Sequence, residues 1–305
     1  MKRASPLRIG TRASPLALAQ TDIVRALLAA AHAGLAFEIV TIRASGDRIL
    51  DRPLAEAGGK GLFTKELDEA MLAGKIDIAV HSAKDVPTFL AAGIRLAAFP
   101  PREDARDALV GNFDAIEKLP RRAVVGTSSV RREALLRRLR PDVAVKLLRG
   151  NVGTRLAKLA AGECDAAILA LAGMKRLGLA AEARAPLDPA IFLPSVGQGA
   201  IAIAARDDDE ESQRLVAAID HAPTSTALAA ERAFLAALDG SCRAPIGGHA
   251  TIEGGRLALH GLVIAPDGTG AVETRRQGPL ADAEALGRDA GEELRTRAPA
   301  GVLDA

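Results

Sequence analysis

The stretch Val125-Gly-Thr-Ser-Ser-Val-Arg-Arg132 decides the fold. Ala123-Val124-Val125 leads into it as a short apolar run that reads as a strand, the Gly/Thr/Ser turn can end that strand, and a helix follows from Val130. The same order of strand, short polar turn and helix recurs in Ile9-Gly-Thr-Arg-Ala-Ser-Pro15 and in Arg149-Gly-Asn-Val-Gly-Thr-Arg155. Such repetition argues for α/β units with mainly parallel strands.

Outward from there, the first hundred residues alternate. PLRIGT reads as a strand, Pro15 to about His32 as a helix stopped at Gly34, AFEIVTIRA as a strand, TKELDEAMLAG as a helix, and IDIAVHSA and GIRLAAF as strands. From about 105 to 195 the pattern returns as AVVGTSS, a helix, VAVKLLRG, a helix and CDAAILALAG. After Gln198, AIAIAA reads as a core strand crossing back to the first unit. The tail differs: the helix TALAAERAFLAAL precedes antiparallel strands with turns at Gly254-Gly255 and Pro266-Asp267-Gly268, then a final helix from about Ala281 to Arg297. The expected fold is two α/β domains with a crossover and a small C-terminal α+β domain with an antiparallel sheet. The expected boundaries are 1–100 with a returning segment 200–218, 101–199, and 219–305.

A chain of 305 residues is too long for one ordinary core. With no Trp, no Tyr and seven Phe, that core must be built from Ala, Leu, Val and Ile. No apolar run approaches the ~18 residues of a membrane span, and Arg8 and Arg12 interrupt the N-terminus before it reaches signal-peptide length. Two cysteines far apart in sequence fit a reducing cytosol, so a cytoplasmic protein is expected. The lack of Tyr and Trp leaves nucleic-acid binding with little support.

Charge is unevenly spread. Residues 121–158 carry eleven lysines and arginines against only Glu133 and Asp142, in a chain of net charge +2. Such a local field points to a polyanionic ligand. The helix starts sharpen the point. Ser14, Ser129 and Asn151 are natural N-caps, and helix N-termini attract anions. Arginines there oppose the macrodipole, so Arg12, Arg131, Arg132, Arg149 and Arg155 read as ligand-binding, whereas Arg137, Arg138 and Arg140 read as a solvated face. No P-loop and no GxGxxG occurs. Asp85, in Lys84-Asp85-Val86-Pro87 at the end of a strand, reads as the single carboxylate among these cations, suited to an N–H donor or a developing positive charge. His81 reads as a core or supporting histidine, and no metal spacing occurs. The Gly-rich segment 50–63 reads as a mobile lid. Cys164 reads as a buried core thiol; Cys242, in the loop Asp239-Gly-Ser-Cys-Arg-Ala-Pro-Ile-Gly-Gly248, does not, and Arg243 beside it can favour a thiolate.

With these residues in hand, the chain resembles the porphobilinogen deaminase (hydroxymethylbilane synthase) family. RASPLALAQ, GGKGLFTKEL, HSAKDVP, REDARDA, VGTSSVRR, LRGNVGTRL, LPSVGQGA and GSCRAPIG, spanning residues 8–248, carry the likeness in the family's order. The resemblance implies two domains similar to periplasmic binding proteins and a third bearing a cofactor. It implies a transferase that joins four porphobilinogen units head to tail with loss of ammonia, on a covalent dipyrromethane primer, one per chain. It makes Cys242 the attachment point and Asp85 the catalytic aspartate. Arg12, Ser14, Lys84, Thr127, Ser129, Arg131, Arg132, Arg149, Arg155 and Arg176 resemble the cofactor and substrate contacts, joined by Ser82 and Ser128 of the same motifs. Lys60 belongs to the lid, and Gln198 and Gly199 to the crossover near the primer. A monomer without metal, membrane or nucleic-acid partner is implied. Glu56 stands where many relatives have Lys. The alternative from another class is a non-catalytic anion- or solute-binding or regulatory domain of the same fold.

Overall fold

The structure, a computed structural model, describes residues 5–47, 61–239 and 244–303. The first unit begins with β1 (Leu7–Arg12), α1 (Pro15–Ala31), β2 (Phe37–Ile42), α2 (Lys65–Leu72), β3 (Ile78–Ser82) and β4 (Ile94–Ala98). The second holds β5 (Asp107–Gly111), β6 (Val124–Thr127), α3 (Val130–Leu139), β7 (Ala144–Leu147), α4 (Val152–Ala160), β8 (Ala166–Ala170), α5 (Leu171–Arg176) and β9 (Ala183–Pro186). The chain then returns through β10 (Ile201–Arg206) and α6 (Glu210–Ala217). The third unit is α7 (Ala222–Ala237), β11 (Ile246–Glu253), β12 (Arg256–Val263), β13 (Val272–Pro279) and α8 (Ala283–Arg297).

Two five-stranded sheets share one plan. Their orders are β2-β1-β3-β10-β4 and β7-β6-β8-β5-β9. In each, the first three strands are parallel. The fourth runs antiparallel to both neighbours. Four strands of each sheet thus run one way and one runs against them, so the expectation of mainly parallel strands holds for strand direction within mixed sheets, and the reason for the reversed strand is topological. β5 and β10 are the strands entered when the chain crosses from one unit to the other. Each starts at the edge where the parallel strands end, so each must run the opposite way.

AIAIAA does return to the first sheet as β10, whereas β5 and β9 were not anticipated from the sequence. Both are short, and β9 ends in Pro186 at a sheet edge, where a missing N–H costs no ladder bond.

The cores follow the composition. Leu7, Ile9, Val24, Leu28, Ile78, Val80, Ile201 and Ile203 fill the first unit, and Leu109, Val125, Leu135, Ile168 and Phe192 are among those filling the second. In the third, α7 and α8 pack closely because Gly287 lies against the α7 backbone; a Cβ there would stand 2.1 Å from the Ala230 carbonyl oxygen. Buried Glu231 of α7 ties the units together. It accepts from Arg102 Nη1 (2.6 Å) between β4 and β5, from the Gly197 amide (2.7 Å) ahead of β10, and from the Ala250 amide (2.8 Å) of β11. No helix among the described residues is long and apolar enough to cross a membrane.

Candidate active site

The carboxyl ends of the parallel strands in both sheets open onto one cavity of about 1000 Å³. The three strand-to-helix corners converge there. Ser14 Oγ accepts from the Ala17 amide (3.3 Å), Ser129 Oγ from the Arg132 amide (3.4 Å) and Asn151 Oδ1 from the Thr154 amide (2.8 Å), so all three expected caps form. Three helix N-termini thus face one space, each presenting backbone N–H groups and partial positive charge.

On the first unit's side, Arg12 ends β1 and Asp85 lies in the 3-10 turn that follows β3. Arg12 Nη1 stands 3.7 Å from Asp85 Oδ2, and its guanidinium lies 4.2 Å from the centre of the Phe63 ring. A planar cation that contacts both a carboxylate and a ring is restrained in direction. Ser82 is held to α1 by the Gln20 side-chain amide (2.9 Å). His81 is buried, and burial, aided by the Arg12 charge, pushes its imidazole down to about 4. It is therefore a neutral supporting residue at physiological pH.

On the second unit's side the geometry departs from the sequence reading. Arg131 and Arg132 line the cavity but are almost wholly buried, and their guanidinium groups are engaged from behind. Arg131 donates to the Leu193 carbonyl (2.6 Å) and to Asp107 Oδ2 (2.8 Å). Arg132 donates from Nε to Asp107 Oδ1 (3.0 Å) and from Nη1 to the Ile168 carbonyl (3.0 Å). Asp85 is thus not the single carboxylate among the cations. Asp107 is a second one, fully buried behind the cavity wall. Burial alone would raise its pKa, but Arg131 and Arg132 hold it down at about 2. The signal that could have found it was topological: the first residue of an antiparallel strand lies at the same rim as the last residues of parallel ones.

Not every donor is spent. Arg131 Nε is buried without a partner. Arg155 Nε donates to the Gly150 carbonyl (2.8 Å), and burial together with Arg132 and Arg149 lowers its guanidinium to about 10, so it remains charged at neutral pH. Arg149 is buried in the same wall. Thr127 is buried and accepts from the Ser129 amide (3.2 Å), while Ser128 lines the cavity.

Lys84 and Gln198 join the two sides. Lys84 Nζ donates to Gln198 Oε1 (3.2 Å), and burial drives the ammonium down to about 8, against the pull of Asp85 and Asp107. Gly199, the next residue, has φ +88°, and a Cβ there would lie 2.3 Å from the Glu103 carbonyl oxygen, so only glycine fits. Its carbonyl accepts from Arg176 Nη2 (2.7 Å), which places Arg176 at the crossover. Lys60, Cys242 and most of the expected lid lie outside the described residues. Ala244 and Ile246, which follow Cys242 in sequence, line the cavity. Cys164 is free and buried, as expected. Among the described residues no cluster of His, Cys, Asp or Glu could hold a metal ion.

A family profile described as porphobilinogen deaminase, dipyromethane cofactor binding domain, matches residues 7–214, and one described as the porphobilinogen deaminase C-terminal domain matches residues 225–296. The chain is 58% identical over 293 residues to a porphobilinogen deaminase of Nitrobacter hamburgensis, covering 95% of this chain and 93% of that one. It is 52% identical over 303 residues to that of Paracoccus denitrificans, covering 98% and 97%. Among solved structures, a TRAP periplasmic solute binding protein from Desulfovibrio salexigens aligns with a TM-score of 0.43 and 11% identity over 72% of this chain and 73% of that one. With its cofactor-binding profile laid over both mixed sheets and its C-terminal profile over the three-stranded unit, this chain belongs to the porphobilinogen deaminase family.

Proposed function

We propose that the cavity is where this enzyme performs its family's reaction, with Asp85 as the catalytic residue and Cys242 as the attachment point of the cofactor. The reaction joins four porphobilinogen units head to tail and yields linear hydroxymethylbilane. At each addition an aminomethyl C–N bond and a pyrrole α C–H bond break, ammonia leaves with that hydrogen, and a new C–C bond joins two pyrroles; water supplies the hydroxyl of the released product. The observation that carries the reading is the pairing of Arg12 with Asp85 inside a cavity walled by arginines.

The residues fit a dipyrromethane. Its rings carry acetate and propionate groups, and the wall offers surplus cations, three helix N-termini and the unpartnered Arg131 Nε. When bound, the cofactor supplies the pyrrole carbon onto which the first unit is joined. Arg12, Arg149 and Arg155 bind carboxylates with charge-assisted hydrogen bonds, supported by Ser14, Ser128 and Ser129 at the helix starts. Arg131 and Arg132 do so with the donors that Asp107 leaves free. Lys84 adds a cation beside Asp85. The Asp85 carboxylate accepts from pyrrole N–H groups and balances the positive charge that develops as ammonia departs. Because its partner Arg12 is restrained by Phe63, the carboxylate needs little reorganisation at that moment.

Within this reading, residues 1–100 with 200–218 supply the catalytic rim, 101–199 the basic wall, and 219–305 the cysteine loop. Lys60 acts from the lid, and Ser82, Thr127, Arg176, Gln198 and Gly199 shape the wall and crossover. The enzyme works as a cytoplasmic monomer. The test is direct: purified protein should consume porphobilinogen with release of one ammonia per unit, and should itself colour with acidic Ehrlich reagent. Protein that gives no pyrrole colour and releases no ammonia overturns the reading.

A further inference from the structure

We propose that Asp107 is a positioning residue for the reaction: it fixes the Arg131 and Arg132 guanidinium groups in the cavity wall and, through the Gln198 amide, the Lys84 ammonium next to Asp85. This rests on the function proposed above.

Asp107 is the first residue of β5 and is fully buried. Its carboxylate is shared three ways: Oδ2 accepts from Arg131 Nη2 (2.8 Å), and Oδ1 accepts from Arg132 Nε (3.0 Å) and Gln198 Nε2 (2.8 Å). Gln198 is also fully buried, and its orientation is dictated on both sides. Its Nε2 faces two acceptors, Asp107 Oδ1 and the Ala105 carbonyl (2.8 Å). Its Oε1 faces the donors Lys84 Nζ (3.2 Å) and Arg132 Nη2 (3.4 Å). A flipped amide would set donor against donor and acceptor against acceptor. The chain of contacts is therefore directional. It runs from the second sheet, through the crossing segment, to the residue adjoining Asp85 on the first.

Charge explains why a carboxylate is needed. Arg131, Arg132 and Lys84 bring three positive charges together in a largely dry wall, and Asp107 cancels one. Two remain for an anionic ligand. The groups facing Lys84 are Arg131 and Arg132, which disfavour its charged form, and Asp85 and Asp107, which favour it. Removing the Asp107 charge must therefore make Lys84 lose its proton at lower pH.

Competitive acetylation of the full-length protein, read by mass spectrometry of the Lys84 peptide, gives the pH of that loss whether or not the enzyme turns over. Wild type should titrate at about 8. Asp107→Asn and Gln198→Met should titrate lower, and Asp107→Glu should return towards wild type. In Asp107→Asn, kcat should fall about 10²-fold with a smaller change in KM, as expected of displaced rather than missing binding groups. If Asp107→Asn does not fold, Gln198→Met carries the test alone, because it leaves Asp107 paired with both arginines. A wild-type Lys84 titration in Gln198→Met overturns the proposal, as does folded Asp107→Asn with wild-type kcat. Failure of the wild-type protein to consume porphobilinogen would instead overturn the underlying function, while the Lys84 titration would still decide the network.

Discussion

The Arg12 guanidinium stands 3.7 Å from the Asp85 carboxylate, at the ends of two neighbouring regions of the first sheet. The acid that faces the cavity is thus already oriented by a cation that is itself held against Phe63. Orientation before the reaction is what makes an electrostatic group effective in it.

Asp85→Asn should fold normally and nearly abolish ammonia release. Asparagine keeps the shape and an acceptor but loses the charge, and loss of such a group typically costs ~10²–10³ in rate, by analogy with oxyanion-hole donors. Asp85→Glu keeps the charge at a displaced position and should retain more activity. Single-turnover ammonia release from variants carrying the same cofactor measures this, and a near-wild-type rate for Asp85→Asn would remove the carboxylate's charge from the mechanism.

Intact mass spectrometry should find the protein heavier than its sequence by one dipyrromethane, and peptide mapping should place the mass on Cys242. Cys164 is an unsuitable site: it is buried, and burial raises its thiol pKa, which disfavours the nucleophilic thiolate. Modification at Cys164 would refute the assignment.

Acid should destabilise the fold partly through His81. Its folded pKa is depressed to about 4 from 6.5 by burial and by Arg12, so the unfolded chain binds a proton that the folded one refuses. Stability from this group is complete above about pH 6.5 and is lost as pH falls towards 4. At pH 4.5 the loss should reach about 2–3 kcal/mol. Asp68, raised to about 6 by burial, acts in the opposite direction over part of this range. Urea unfolding of wild type and His81→Leu at pH 7 and pH 4.5 separates the two, because Asp68 is common to both. Equal losses in the two proteins would show that His81 is not responsible.

Much of this was legible in the sequence, for a physical reason. Ser14, Ser129 and Asn151 cap helices through local chemistry, and local chemistry is visible in a short stretch. The crossing back through AIAIAA was visible because a run of six apolar residues needs a core. Asp107 was not visible. DALVG and ARAP are too short to show periodicity, and Asp107 matters only because β5 runs antiparallel and so starts where its neighbours end. The roles expected for Arg131 and Arg132 were incomplete for the same cause: their helix positions pointed to a ligand, while the carboxylate behind them came from 24 and 25 residues away.

That difference separates the arginines into two groups with different signatures on substitution. Among the described residues Arg155 hydrogen-bonds only to the nearby Gly150 carbonyl, and burial lowers its pKa, so its charge is poorly satisfied before a ligand arrives. Arg155→Leu should leave stability almost unchanged, or raise it, and weaken the hold on a carboxylate. Each charge-assisted bond is worth roughly 1.5–3 kcal/mol, or about 10- to 150-fold in affinity. Arg132→Leu should do something else as well. It removes one of the two cations that hold Asp107 ionised in a fully buried position, and breaking such a pair costs roughly 3 kcal/mol or more. Chemical denaturation and porphobilinogen turnover, measured on both variants, should therefore show one losing turnover alone and the other losing turnover and stability together. If Arg132→Leu matches wild type in stability, the ion pairing around Asp107 does not hold the wall, and the cavity's cations would have to be treated as one equivalent set.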